Sequence, residues 1–352
     1  MDITKIDKNF IQTEVTKESG KVFCIPCKPF VICGGWFEEN KGFIKMPTHL
    51  AEQISEGVSW GSRCTSGVRI LFATDAKTIK LSAKLYAKAL MNHMTFVGSS
   101  SFTLLEDVSG VEKFAGNFIP SLDKNELDII AQVNLPGDKI RKYILYLPLY
   151  SGVEKLSLEF NDGATVGEYN KYLNEKPILY YGSSITQGGC ASRANNCYQA
   201  YISEWLKVDY LILGFSGSAK AEDKMIEYLS KVDCSVFVCD YDHNAPSLEH
   251  LENTHEKLFK AFRSNKKNAN VPVVFVSKPD GYKADGHLRF EVIKRTYENA
   301  IKAGDKNVYL VDGREFYPKE IAEHCSVDSC HPTDLGFYFM AKKLYEVIKN
   351  LF

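Results

Sequence analysis

The sequence predicts two units in tandem: an all-β sandwich of jelly-roll type over residues 1–168, then a three-layer α/β/α unit over residues 169–352 built on a parallel five-stranded sheet. Three observations carry this. In the first half, short runs of β-branched and aromatic residues are separated by turn residues, with little helical periodicity between them. The pattern changes around Asp162-Gly163-Ala164, and from Pro177 onward strand-like runs alternate with helical ones. Finally, 352 residues, 45% hydrophobic and 25% charged, suit two globular domains.

Taken in order, the first unit has strands expected at Val22–Ile25, Gly67–Ala73, Thr78–Leu85, Ser101–Leu105, Ile129–Val133 and Lys142–Leu147. Turns such as Asp75-Ala76-Lys77, Val108-Ser109-Gly110 and Leu135-Pro136-Gly137-Asp138 divide them. One helix is expected here, His49–Gly57, just after Pro47-Thr48. In the second unit the strands are Ile178–Tyr181, Asp209–Phe215, Ser235–Asp240, Pro272–Ser277 and Asn307–Val311. Helices fall between them at Glu222–Lys231, at Ser247–Arg263 with Ser247 as N-cap, and at Leu288–Ala303. A terminal helix, Leu335–Leu351, places Phe337, Met340, Leu344, Val347 and Leu351 at helical spacing.

Composition excludes several partners. The chain carries 43 basic and 44 acidic residues, without the basic excess of a nucleic-acid or anionic-membrane surface. No run approaches the length of a membrane-spanning helix. The amino terminus lacks the apolar core of a signal peptide, so a cytoplasmic protein is expected. Ten cysteines are scattered rather than framed as disulfides, and Cys234 and Cys239 read as small hydrophobes in a strand. Cys24-x-x-Cys27, followed by Cys33, has the spacing of a zinc half-site. The nearest further ligands, His49 and Cys64, do not complete it, so free thiols on a strand and turn are expected.

Chemistry is concentrated at Pro177–Gly189, where an apolar strand stops at Gly182 and two serines precede Gly188-Gly189 and a helix. Such a turn at the carboxyl edge of a parallel sheet exposes a side chain near a positive helix end. It suits a serine nucleophile, or a phosphate cradle. The phosphate loop lacks its Lys, and the Gly-x-Ser-x-Gly elbow is broken by Thr186.

Gly182-x-Ser184-x-Thr186-x-Gly188 resembles the first block of the SGNH (GDSL-type) esterases and acylhydrolases, with Ser184 in the nucleophile's position and Ser183 where the family usually has Asp. The other blocks follow in order. Leu213-Gly-Phe-Ser-Gly217 is similar to the second, which implies an oxyanion-hole N–H at Gly217. Cys239-Asp-Tyr-Asp-His-Asn244-Ala resembles the third, whose Asn amide also faces the oxyanion, although the usual Gly-x-Asn-Asp form is lost. His243 is a rival base in that loop, and Tyr241 there is a candidate substrate contact. Asp328-Ser-Cys-His331-Pro resembles the final block, implying that Asp328 holds the imidazole whose other nitrogen faces the serine. The resemblance implies a flavodoxin-like sheet and chemistry with no metal or cofactor.

Upstream, Phe43-Ile-Lys-Met-Pro, Ser66–Asp75 and Tyr146-Leu-Pro-Leu-Tyr resemble the β-sandwich that precedes the catalytic domain in a subgroup including carbohydrate esterases. The implied substrate is a small O-acyl, O-acetyl above all, ester of a carbohydrate or polyol. An acyltransferase, a thioesterase or lipase-like enzyme, and an inactive sugar-binding protein use the same pattern. Trp36, between glycines and Phe37, is either a sugar-stacking ring or a core residue.

Overall fold

Five strands run parallel in the C-terminal part of the computed structural model, which describes residues 6–7, 13–16, 20–174, 176–279 and 285–352. Their spatial order is Tyr210–Gly214, Ile178–Gly182, Val236–Asp240, Val273–Val276, Val308–Val311. The first strand in sequence therefore lies second in space, flanked by the next two. This places the reversal of winding direction, where α/β sheets open a crevice, at the end of Ile178–Gly182. Register makes this edge level: Gly182 pairs with Gly214 on one side and Asp240 on the other.

Every residue of the three strands that meet there is buried, and that is why they read as continuous apolar runs rather than alternating ones. The two-residue period still sorts side chains by face. Ile178, Tyr180, Ile212 and Val238 enter a core with Ile202 and with Phe337, Met340 and Leu344 of the terminal helix. Leu179, Tyr181, Leu213 and Phe237 enter another with Met225, Leu258, Phe262 and Ile293. Helices on both faces make the three layers. The helix Leu248–Ser264 begins as expected, with Ser247 Oγ accepting from the His250 N–H.

The N-terminal region holds two antiparallel sheets. One has the order Gly20–Ile25, Val153–Asn161, Thr78–Leu85, Asp128–Asn134; the other runs Val166–Gly167, Arg69–Thr74, Arg141–Tyr146, Phe102–Val108, Val111–Phe118, with Val31–Cys33 also on Arg69–Thr74. Ile79, Leu81 and Leu158 of the first share a core with Ile70, Phe72, Leu104 and Leu145 of the second. The second sheet's opposite face, with Leu71, Ala73, Leu105, Ile144 and Tyr146, belongs to the same core as Ile178 and Tyr180. Its central strands are thus buried on both sides, and Arg69–Thr74 has no exposed residue.

Two readings change. The helix expected over His49–Gly57 is two pieces, Thr48–Ala51 and Glu56–Arg63, because Ser55 starts the second by accepting from the Val58 N–H. Strands Val111–Phe118 and Val153–Asn161 and the hairpin Trp36–Glu38/Gly42–Ile44 were not expected. The helix expected beyond Gly188-Gly189 is Tyr198–Leu206, whose Tyr198, Ala200 and Ile202 face the core.

Candidate active site

The Ile178–Gly182 strand ends in a turn that only glycine fits. A Cβ at Gly182 would lie 2.1 Å from both Asp240 O and Thr186 Oγ1. Ser183 follows as N-cap, with its Oγ accepting from the Ile185 N–H at 3.1 Å, and Ser184 opens the short helix Ser184–Gln187. The two serines thus divide: Ser183 is capped inward, whereas Ser184 Oγ meets His331 Nε2 at 2.9 Å.

His331 stands in a loop closed on itself. Val327 N–H donates to His331 O, Thr333 N–H to Cys325 O, and Ser326 bridges to Pro332. Within that loop Asp328 folds back: Oδ2 lies 2.7 Å from His331 Nδ1, and Oδ1 accepts from the N–H groups of His331 (2.8 Å) and Cys330 (3.0 Å). Burial works to raise the Asp328 carboxyl, but these donors outweigh it and hold it at about 2. A carboxylate ionised at any working pH fixes Nδ1 as the protonated nitrogen and leaves the Nε2 lone pair toward Ser184.

The residues expected as oxyanion donors lie at the two neighbouring strand ends. In the loop after Tyr210–Gly214, Ser216 N–H donates to Gln187 Oε1 (3.0 Å), and Ser218 and Ala219 N–H both reach Phe215 O. Gly217, exposed and at φ +68°, carries the loop's remaining N–H, and that group has no partner among the described residues. Asn244 ends the turn Asp242–Asn244, and its Oδ1 accepts from Ala219 N–H at 3.3 Å. With the acceptor end so tied, the end of the amide left to donate is Nδ2. A hydroxyl, an oriented base and N–H donors are the parts needed for acyl transfer.

Comparison with known proteins gives the family. The GDSL-like Lipase/Acylhydrolase family matches residues 175–349, and the N-terminus of the SGNH-hydrolase-type esterases matches residues 26–166. The chain belongs to the SGNH (GDSL-type) esterases. Among SGNH-like solved structures, a GDSL-like lipase from Bacteroides ovatus is 24% identical, with a TM-score of 0.83 over 94% of this chain and 98% of its own. The salicylyl-acyltransferase of a tetracycline biosynthetic pathway is 17% identical, TM-score 0.78, over 94% of this chain and 97% of its own. A family two carbohydrate esterase from Clostridium thermocellum, in complex with cellohexaose, is 17% identical, TM-score 0.61, over 82% and 93%. Among curated proteins none matches.

In this SGNH esterase the N-terminal region packs against the segments that carry Ser184 and Gly217. Tyr150 OH donates to Ser184 O at 3.3 Å, and Gln187 Nε2 reaches Leu149 O at 3.4 Å. The fully buried Lys45 donates to Gly214 O (2.8 Å) and Ser66 Oγ (2.7 Å), next to the Gly217 loop. Burial lowers its ammonium to about 8, against the pull of Cys64. Gly57 and Gly61 face the same loop: a Cβ at Gly57 would lie 2.0 Å from Ser218 Oγ and one at Gly61 2.9 Å from Phe215 Cδ1. Only the soft motifs around Lys45 and Tyr146–Tyr150 marked these positions. Below the site Asp240 is buried and accepts from Thr186 Oγ1 and Tyr198 OH, each at 3.1 Å. Burial, then the nearby Asp242, pushes its carboxyl up to about 7 against those hydrogen bonds.

Tyr241 corrects an expectation. It is buried, its hydroxyl bonded to Thr254 Oγ1 at 2.8 Å and its ring stacked on His255, so it offers no surface to a substrate. His243 lies against Cys330, its Nδ1 4.0 Å from Sγ, while the contact to Ser184 Oγ is made by His331. Trp36 is exposed on its hairpin rather than in the core. Cys24, Cys27 and Cys33 are free thiols that diverge, Cys24 to solvent and Cys33 into the core.

Proposed function

We propose that the protein is a serine esterase that removes small O-acyl groups, O-acetyl foremost, from carbohydrates. The observation that carries this is the hydrogen-bonded chain Ser184 Oγ–His331–Asp328. Ser184 Oγ attacks the ester carbonyl as His331 Nε2 takes its proton. The tetrahedral oxyanion is held by Ser184 N–H, Gly217 N–H and Asn244 Nδ2, each worth about 100- to 1,000-fold in rate. Collapse expels the sugar alkoxide, protonated by the imidazolium. A water, deprotonated by His331, then releases the acid and regenerates the serine. Asp328 stabilises the imidazolium throughout.

A carbohydrate acceptor is favoured by the shared architecture with the esterase solved in complex with cellohexaose. In this reading residues 1–168 form a sandwich domain that walls the site, residues 169–352 the catalytic domain, and Trp36 supplies a ring for sugar stacking. The likeness to the salicylyl-acyltransferase favours one second reading, transfer of the acyl group to an alcohol other than water through the same acyl-serine. A panel of acetylated mono- and oligosaccharides derived from xylan and mannan decides between them. Acetate release supports the esterase. Acyl transfer to an added alcohol without acetate release replaces it with the transferase, and binding without turnover removes both.

A further inference from the structure

We propose that His331, together with His93 and Cys190, forms a zinc site at the mouth of the active centre, and that zinc binding there inhibits the enzyme reversibly. One ligand atom from each of these residues lies within 4.8 Å of the others. A tetrahedral zinc at about 2.1 Å from nitrogen and about 2.3 Å from sulfur holds its donors about 3.5 Å apart. His93, whose side chain is exposed and whose ring centre lies 5.5 Å from that of His331, is the ligand of the three with most room to adjust. His93 Nδ1 lies 3.2 Å from Asn92 Oδ1; donating there, the ring keeps its Nε2 lone pair for a metal.

The three segments that carry these ligands are tied to one another. Thr95 Oγ1 donates to Ser192 O at 2.8 Å, joining the His93 segment to the Cys190 segment. Ser192 N–H and Asn196 Nδ2 both donate to Asp334, each at 2.8 Å, joining the Cys190 segment to the residues just after His331. Cys190 itself is held at φ +73°, a backbone conformation unusual for a side chain of its kind. Two imidazoles and a thiol are a borderline-soft set that suits zinc better than magnesium or calcium. On binding, the Cys190 thiol gives its proton to solvent, and water fills the fourth position.

Inhibition follows from geometry. Nε2 of His331 faces Ser184 Oγ and Nδ1 faces Asp328 Oδ2, so whichever nitrogen the metal takes is one that the proposed mechanism uses. Inhibition therefore rests on that mechanism, whereas metal binding does not.

The test has two arms, with the protein kept reduced by a phosphine in a non-chelating buffer. In the first, zinc is titrated against aryl acetate hydrolysis. Inhibition at micromolar zinc, reversed by EDTA, is expected. His93→Ala and Cys190→Ser should each raise the inhibitory concentration about tenfold or more and leave the zinc-free rate intact. In the second, cobalt(II) is added to the same three proteins. A thiolate-to-cobalt charge-transfer band is expected in the wild type and lost in Cys190→Ser. Equal zinc sensitivity in all three proteins, or no thiolate band in the wild type, overturns the proposal. The cobalt arm reads the site even if the protein hydrolyses no ester, so failure of the metal site and failure of the esterase reading remain distinguishable.

Discussion

At the scale of single residues, two adjacent serines make different contacts, and the block pattern had put Ser184 in the nucleophile's position. Ser183 Oγ is a backbone acceptor and Ser184 Oγ faces an imidazole. Ser184→Ala should lower aryl acetate turnover on the order of 10⁴-fold or more with the melting temperature almost unchanged. Ser183→Ala should stay active and lose about 1 kcal/mol of stability, the usual worth of an N-cap. A dead Ser183→Ala beside an active Ser184→Ala would reverse the assignment. The buried carboxyl of Asp240 supplies a pH signature. Its folded pKa of about 7 lies above the unfolded value of about 3.9, so the folded state holds an extra proton between them. Stability from this group is complete below about pH 3.9 and is lost as pH rises through about 7. Asn at this position keeps an acceptor for Thr186 and Tyr198 and does not titrate. Asp240→Asn should therefore gain on the wild type by a few kcal/mol, at about 1.4 kcal/mol per pKa unit, between about pH 4.5 and about pH 7.5. Urea midpoints at the two pH values check this; a constant gap would exclude it.

At the scale of elements, what could be read depended on how local the cause was. Four of the five parallel strands are buried throughout, so their apolar runs stood out, and Ser247 announced its helix by local capping. Tyr241 followed from neither: whether the Asp240–Asn244 turn aims a ring inward depends on Thr254 and His255, in a helix further along the chain. Likewise nothing local distinguishes Gly57 and Gly61 from ordinary helix-weakening glycines. Their reason is the Phe215–Ser218 loop, more than 150 residues away, which needs a face without side chains to lie against. A methyl at Gly57 must push Ser218, and with it the Gly217 N–H. Gly57→Ala should lower kcat about 10- to 100-fold with a smaller effect on KM, and Ser218→Gly in the same chain should restore much of it. A Gly57→Ala enzyme with wild-type kcat would show that the loop does not depend on this contact.

At the scale of the whole molecule, the division of the sequence into a β half and an α/β half does not correspond to two independent cores. Leu71, Ile144 and Tyr146 share one core with Ile178 and Tyr180, and Met46, Ala51 and Val58 share another with Phe215 and Ala219. The Arg69 guanidinium pairs with Asp209 and lies 3.6 Å from the Tyr210 ring centre, at the start of a strand of the parallel sheet. A fragment of residues 169–352 should therefore be insoluble, or bind hydrophobic dyes and unfold without a cooperative transition. A soluble fragment with a sharp melt would show that the C-terminal half folds by itself. This shared construction also bears on engineering. A chimera that takes its β region from another enzyme to reach a new sugar would exchange the underside of the reaction centre along with the specificity wall. Lys45, Gly57, Gly61 and Tyr150 would have to travel as a set with the loops they support, because the graft boundary runs through the machinery itself rather than around it.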